Sequence, residues 1–228
     1  MALGKIDSIF RYPVKSMMGE KIEETQVTSN GVLGDRVWAV RDEVRGGIRG
    51  AKKIPQLMQL SAACVSEPKE QGSEPAAVTL ADGEVIRTDD KNINVRLSQA
   101  LNHEVTIWPI MPKEQLDHYR RGAPDTDDFE EELRTVFGRL PGEPIPDLTG
   151  FEALLEFESP PGTYFDAFPI SIMSTQSLQT MNQLSADSDF DVRRFRPNLL
   201  LDVPDSTHPS PEQEWLGATL TIGEVTLK

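Results

Sequence analysis

Val192-Arg193-Arg194-Phe195-Arg196-Pro197-Asn198, running at once into Leu199-Leu200-Leu201, decides how the fold is read. Three arginines crowd into four positions here, in a chain that carries 37 acidic against 23 basic side chains. Pro197 fixes its own φ and keeps Arg196 out of the right-handed helical region, so the segment is expected to be extended and to lead into a buried strand. In an extended chain the side chains alternate, which puts Arg194, Arg196 and Asn198 on one face and Arg193, Phe195 and Pro197 on the other. Phe195 is then the expected core anchor. The two guanidinium forks and the amide would converge on one object, and a phosphate ester beside a hydrogen-bonding ring suits those groups. The competing reading is a surface strand whose arginines pair with surplus carboxylates and contribute little.

Outward from this stretch, the residues before it read as a strand at Ile170 to Met173 and a helix capped by Ser174 or Thr175, with Leu178, Met181 and Leu184 inward. The residues after it read as a hairpin turning at Gly223-Glu224. Further upstream, Pro141, Gly142, Pro144 and Pro146 form a stiff connector. Before the connector, Asp125-Thr126-Asp127-Asp128 caps a helix with Phe129, Leu133, Val136 and Phe137 on one face, stopped at Gly138. The first half is strand-rich. Leu3 to Tyr12, Glu24 to Thr28, Val37 to Val40, Leu60 to Val65, Val78-Thr79-Leu80, Val85-Ile86 and Val105 to Trp108 read as short strands. Asn30-Gly31, Gly46-Gly47 and Asp82-Gly83 supply turns, and one helix carries Ile93, Leu97 and Leu101 after an Asp89 or Asp90 cap. The fold class expected is mainly β with a few helices: a β-barrel-like part over 1–111, an acidic helical connector over 112–150 and a second, partial barrel over 151–228.

A chain of 228 residues with no apolar run near eighteen is expected to be a soluble globular protein with a real core and no membrane association. The N-terminus shows no secretory signal and the single cysteine, Cys64, suits a reducing compartment, so the cytoplasm is the expected location. A net charge of −14 argues against nucleic acid and anionic membranes as partners, leaving a small anionic ligand in a local basic pocket. His103, His118 and His208 lie in unlike contexts without metal-ligand spacing, so no metal site is expected among them. Gly46-Gly47-Ile48-Arg49-Gly50 lacks the spacing of a phosphate loop and reads as a hairpin tip. Asp35 and Asp166 could act as acids or bases, although isolated aspartates are more often turn residues. Cys64 sits in an apolar run without a neighbouring cation and reads as a structural thiol.

Several motifs occur together in order: Tyr12-Pro13-Val14-Lys15-Ser16, Gly31-Val32-Leu33-Gly34-Asp35-Arg36, Asp166-Ala167-Phe168-Pro169 with Ser174-Thr175-Gln176-Ser177-Leu178, Arg194-Phe195-Arg196-Pro197-Asn198, and Trp215 with Ile222-Gly223-Glu224-Val225. In this order the chain resembles the MOSC family in its two-part form, an N-terminal β-barrel domain followed by the MOSC domain, as in YcbX-like proteins and the mitochondrial amidoxime-reducing component. The resemblance implies a molybdenum cofactor site, a pterin (molybdopterin) carrying one phosphate. Lys15, Ser16 and Arg36 would hold the phosphate and its surroundings, and Arg196 and Asn198 the pterin, with Arg194 and Asp166 completing the cofactor-binding set. It also implies an oxidoreductase that reduces small N-oxygenated substrates with electrons from a flavin or iron–sulfur reductase. The rival is a cofactor or sulfur carrier module without turnover, in a family also linked to pyridoxal phosphate binding. The family binds its metal through a cysteine beyond the strand matching Val225-Thr226-Leu227-Lys228. The chain as read is therefore expected to be truncated and inactive, since soft thiolate ligation is not replaced by arginine or serine.

Overall fold

The protein is described from a computed structural model covering residues 3–147, 149, 156–204 and 208–227. The first half contains β1 (Lys5–Arg11), β2 (Glu20–Ile22), β3 (Val27–Thr28), β4 (Gly31–Val32), β5 (Trp38–Asp42), β6 (Ser61–Cys64), β7 (Ala76–Thr79), β8 (Val85–Arg87), α1 (Ile93–Leu101) and β9 (Val105–Pro109). Then come α2 (Leu116–Tyr119), α3 (Phe129–Phe137), β10 (Ile172–Ser174), α4 (Thr175–Leu184), β11 (Leu199–Asp202), β12 (Leu220–Ile222) and β13 (Val225–Leu227). The fold is mainly β with a few helices, and no sheet closes into a barrel among the described residues. No helix among them is long and apolar enough to cross a membrane.

The four-stranded sheet positions the site. Its order is β10-β11-β1-β2, so the first strand of the chain is held between a late strand and its own neighbour. β1 runs antiparallel to β11, with Ile9 opposite Leu199, and β10 lies parallel to β11. The Leu199-Leu200-Leu201 run is buried, as its apolar character requires. Strict alternation along β1 fails, because the register shifts between Ile6 and Ser8, and both Ser8 and Arg11 end up buried. A second core lies under β5, β7 and α1. Ile93, Leu97 and Leu101 face it at helical spacing, together with Val40, Leu57, Leu60 and Val78.

The arginine stretch is not extended. Asp191 accepts from the Arg193 backbone N–H at 2.8 Å and curls Val192–Arg194 into a 3₁₀ turn. Phe195 stays in the right-handed region, and Arg196 takes a φ of +52°. Pro197 bars Arg196 from the right-handed helix, and the chain meets that bar with a positive φ in place of extension. The faces expected from alternation are therefore lost. Phe195 is 40% exposed and anchors nothing in the core, whereas Arg196 and Asn198 turn inward.

α3 forms as its signals dictate. The Asp128 carboxylate accepts from the N–H groups of Glu130 and Glu131, and Gly138 closes the helix in the left-handed conformation. It has no fully buried residue, and Phe129 is exposed. Charge moors it to the residues after β5: Lys53 pairs with Asp125 and Glu132, Arg45 with Asp125, and the Arg49 guanidinium donates to the Ala123 carbonyl at 2.6 Å. α2 instead packs into the interior. His118 and Tyr119 are buried, and Tyr119 joins Tyr164, Ala39 and Ile48 in a small aromatic core. In α4, Ser174 caps as expected, but Leu184 points out at 83% exposed.

Candidate functional site

Where β1 ends, Tyr12-Pro13-Val14-Lys15-Ser16 turns back beneath the sheet. The turn is pinned by Lys15 N–H to the Trp38 carbonyl at 2.8 Å, Trp38 N–H to the Pro13 carbonyl at 3.0 Å and Arg36 N–H to the Tyr12 carbonyl at 2.7 Å. The Asp35 carboxylate accepts from the Tyr12 N–H at 2.7 Å. These bonds bring Lys15 and Arg36 to one place, and the Arg196-Pro197-Asn198 corner closes it from the other end of the chain.

Lys15 is 1% exposed, and its Nζ donates to the Ser159 hydroxyl at 3.0 Å, the Tyr164 carbonyl at 3.0 Å and the Asp166 carboxylate at 2.7 Å. Burial pulls the Lys15 ammonium below its ordinary range, and Asp166 offsets only part of that. Burial also opposes the charge on Asp166, but Lys15, then Arg36 and Arg196, outweigh it and hold the carboxyl below the usual range. The side chain of Asp166 is otherwise open to solvent. Arg36 pairs with the fully buried Asp35 carboxylate, and its guanidinium reaches the Asn198 side-chain oxygen and the Arg196 carbonyl at a long 3.5 Å. Arg196 donates through Nε to the Met17 carbonyl at 3.1 Å. Its Nη2 is buried with no hydrogen-bond partner, and no ion pair is formed by this residue among the described ones. Burial, then the like charge of Arg36, bring its pKa down to about 10, so it stays protonated at neutral pH. Asn198 is completely buried; its oxygen accepts from the Ser171 N–H at 3.1 Å and its NH₂ donates to the Phe10 carbonyl at 3.3 Å.

The backbone carries a second sign of constraint. Four non-glycine residues among those described have positive φ, and three of them are Ser16 (+68°), Arg36 (+50°) and Arg196 (+52°). The fourth, Asn102, is a helix C-cap and needs no further cause. Strain of this kind persists where the surroundings over-determine it, and it clusters at functional sites. The Ser16 hydroxyl is occupied by the Ala51 N–H at 2.9 Å, and a Cβ on Gly50 would come within 3.0 Å of that oxygen.

Of the residues singled out from the sequence, the structure gathers Lys15, Arg36, Arg196, Asn198 and Asp166, with Ser16 on the adjoining turn. It does not gather Arg194. That guanidinium lies exposed on the 3₁₀ turn, 5.8 Å from the centre of the Phe190 ring, because the curl at Asp191 removes the alternation that had paired it with Arg196. Two parts of the cluster were missed and a third had another role. Asp35, read as a possible acid or base or a turn residue, is the buried counter-charge of Arg36. Tyr12 lies beneath both arginines, and Ser159 holds Lys15; the latter has no local signal. α2 also belongs nearer than its acidic setting implied, since His118 bonds the Tyr164 hydroxyl at 2.7 Å and Tyr164 supplies a carbonyl to Lys15. Cys64 stands apart, half-buried in β6 with its thiol pushed up to about 12 by burial. No group of three or more potential metal-ligating side chains occurs among the described residues.

The cluster sets three cations against two carboxylates in a chain of strongly negative charge. Its guanidinium groups have the planar fork that suits a carboxylate or phosphate. The family model for the MOSC N-terminal beta barrel domain matches residues 3–111, and the model for the MOSC domain matches residues 160–228. A search of curated proteins returned no match. The four-stranded sheet joins a strand of the first matched region to strands of the second, and the cationic cluster draws on both. The chain belongs to the MOSC-domain proteins, with an N-terminal MOSC β-barrel domain ahead of the MOSC domain.

Proposed function

We propose that the chain binds the molybdenum cofactor through its pterin and phosphate at the Lys15–Arg36–Arg196 cluster, as the scaffold of a YcbX-like oxidoreductase acting on N-hydroxylated compounds. The observation that carries this reading is the buried Arg196 guanidinium with an unpartnered Nη2. A buried donor left unmade costs about 1–3 kcal/mol, and more when charged, so such a group persists where a ligand completes it. The residues present fit the phosphate of the group: the Arg196 guanidinium has an unmade donor, and Arg36 reaches Asn198 and the Arg196 carbonyl only at a long 3.5 Å. The Lys15 ammonium, its three donors already used, adds charge, whereas the buried Asn198 amide is spent on Ser171 and Phe10 and fixes the corner. MOSC domains are associated with this cofactor in general, which makes it the natural candidate.

Bound, the cofactor would supply oxygen-atom chemistry at its metal, with electrons from a separate flavin or iron–sulfur reductase. This chain's residues bind and orient. Arg36 and Arg196 hold the anion, Lys15 lends charge from below, and Asp166 sets how much of that charge is free. Cys64, a neutral thiol in another strand, has no part in metal ligation.

The test is to express the protein in a cofactor-producing host and to measure co-purified pterin by the fluorescence of its oxidised form. Wild type should carry pterin, and Arg36→Ala and Arg196→Ala should each lose at least about tenfold in occupancy, as expected for one charged hydrogen bond. Equal occupancy in all three would remove the pocket. Reduction of a hydroxylamine with an added reductase then separates turnover from mere carriage of the cofactor.

A further inference from the structure

Tyr12 is the residue on which both arginines of the cluster rest. The guanidinium carbon of Arg196 lies 4.9 Å from the centre of its ring and that of Arg36 5.5 Å. The ring is 1% exposed, its hydroxyl donates to the Pro197 carbonyl at 3.1 Å, and its N–H holds the carboxylate of Asp35. Two like charges at close quarters repel, and burial leaves little water to screen them. An aromatic face attracts both, because its quadrupole presents negative potential to a cation.

We infer that Tyr12 is a positioning residue: its ring holds Arg36 and Arg196 side by side as one preformed anion clamp, and its hydroxyl fixes the Arg196-Pro197 corner from which one jaw projects. The inference rests on the cluster being an anion pocket. Without the ring the two guanidiniums separate, and an incoming anion has to gather them before it can bind both. That ordering cost is what preorganisation removes. The ring and the hydroxyl thus have separable duties, and the ring's duty depends on electron density at its face more than on its shape.

The experiment varies that density at nearly constant shape. Inorganic phosphate is titrated by calorimetry into wild type, into Tyr12→Phe, and into protein carrying mono-, di- and trifluorinated phenylalanine at position 12. Tyr12→Phe keeps the face and loses only the hydroxyl's hold on the corner, so the Kd should rise by no more than about threefold. Across the fluorinated series the Kd should rise stepwise, by about tenfold in total, as the face loses its hold on the guanidiniums. A Kd independent of fluorine content, whether or not the thermal midpoint moves, would reduce Tyr12 to a packing residue and overturn the clamp. Absence of phosphate binding in the wild type itself would instead remove the anion pocket, and the clamp with it.

Discussion

Among the described residues two clusters each gather three cations, and they are built to opposite ends. Around the loop after β5, Arg45, Arg49 and Lys53 meet Asp42, Asp125 and Glu132, and the leftover donors reach the Ala123 and Pro124 carbonyls. Even the Arg49 Nε without a hydrogen bond lies 3.6 Å from the Asp42 carboxylate. This cluster joins two segments and has charge to match on both sides. Around β1, the cations number one more than the carboxylates, three residues have positive φ, and Arg196 keeps a donor in reserve. Balanced charge with relaxed backbone suits a joint, and unbalanced charge with constrained backbone suits the binding place proposed above.

The joint should therefore fail by unfolding. Asp42 is 4% exposed and accepts from the Val44 and Arg45 N–H groups and from His103, so Asp42→Asn should cost about 3 kcal/mol in chemical denaturation near pH 7. Desolvation opposes its charge, but those hydrogen bonds prevail and its carboxyl is held below the ordinary value. A depressed folded-state pKa gives stability that is present above the unfolded value, near 4, and is lost as pH falls through the folded one. The gap between wild type and variant should close on acidification. A constant gap down to about pH 2 would show that the charge is not what holds the joint.

The proposed binding place should fail differently. Arg196→Met removes a buried charge that forms no ion pair among the described residues and leaves one donor unmade, so stability should rise by about 1 kcal/mol while phosphate binding is lost. If the variant lost stability as Asp42→Asn does, the two clusters would be the same kind of object. The smallest effect belongs to Asp166→Asn. It takes away the exposed carboxylate that shares Lys15 with any incoming anion, and phosphate should bind about threefold tighter near pH 7. Weaker binding would make Asp166 a partner of the ligand and not its competitor.

Much of this was legible in the residues. The Asp128 cap and Gly138 stop define α3, the Asp82-Gly83 turn defines the β7–β8 hairpin, and Ile93, Leu97 and Leu101 give α1 its buried face, although Asn92 and not an aspartate stands at its cap. These are local signals, read over a few positions. The conformation at Arg196 was misread because Pro197 forbids one region without choosing between the others, and the choice was made by Asp191, five residues upstream. Lys15, Arg36 and Arg196 were visible as odd cations beside turn or proline signals, and the Asn198 amide as the end of the same proline motif. Ser159 and the ring of Tyr12 were not, because what they do depends on sheet pairing between distant segments, which no local pattern encodes.

That pairing has a consequence for the making of the protein. The Tyr12 hydroxyl and the Pro197 carbonyl are 185 positions apart in the chain, and β1 has no β11 to pair with until the latter is synthesised. At about 5–20 residues per second, the first strand waits for roughly ten to forty seconds with one edge open on the ribosome. Contacts of such high sequence separation form late and slowly. A nascent chain stopped anywhere before Pro197 thus lacks the corner that closes the cationic cluster, and under the proposed function ligand loading would report that translation has passed that point.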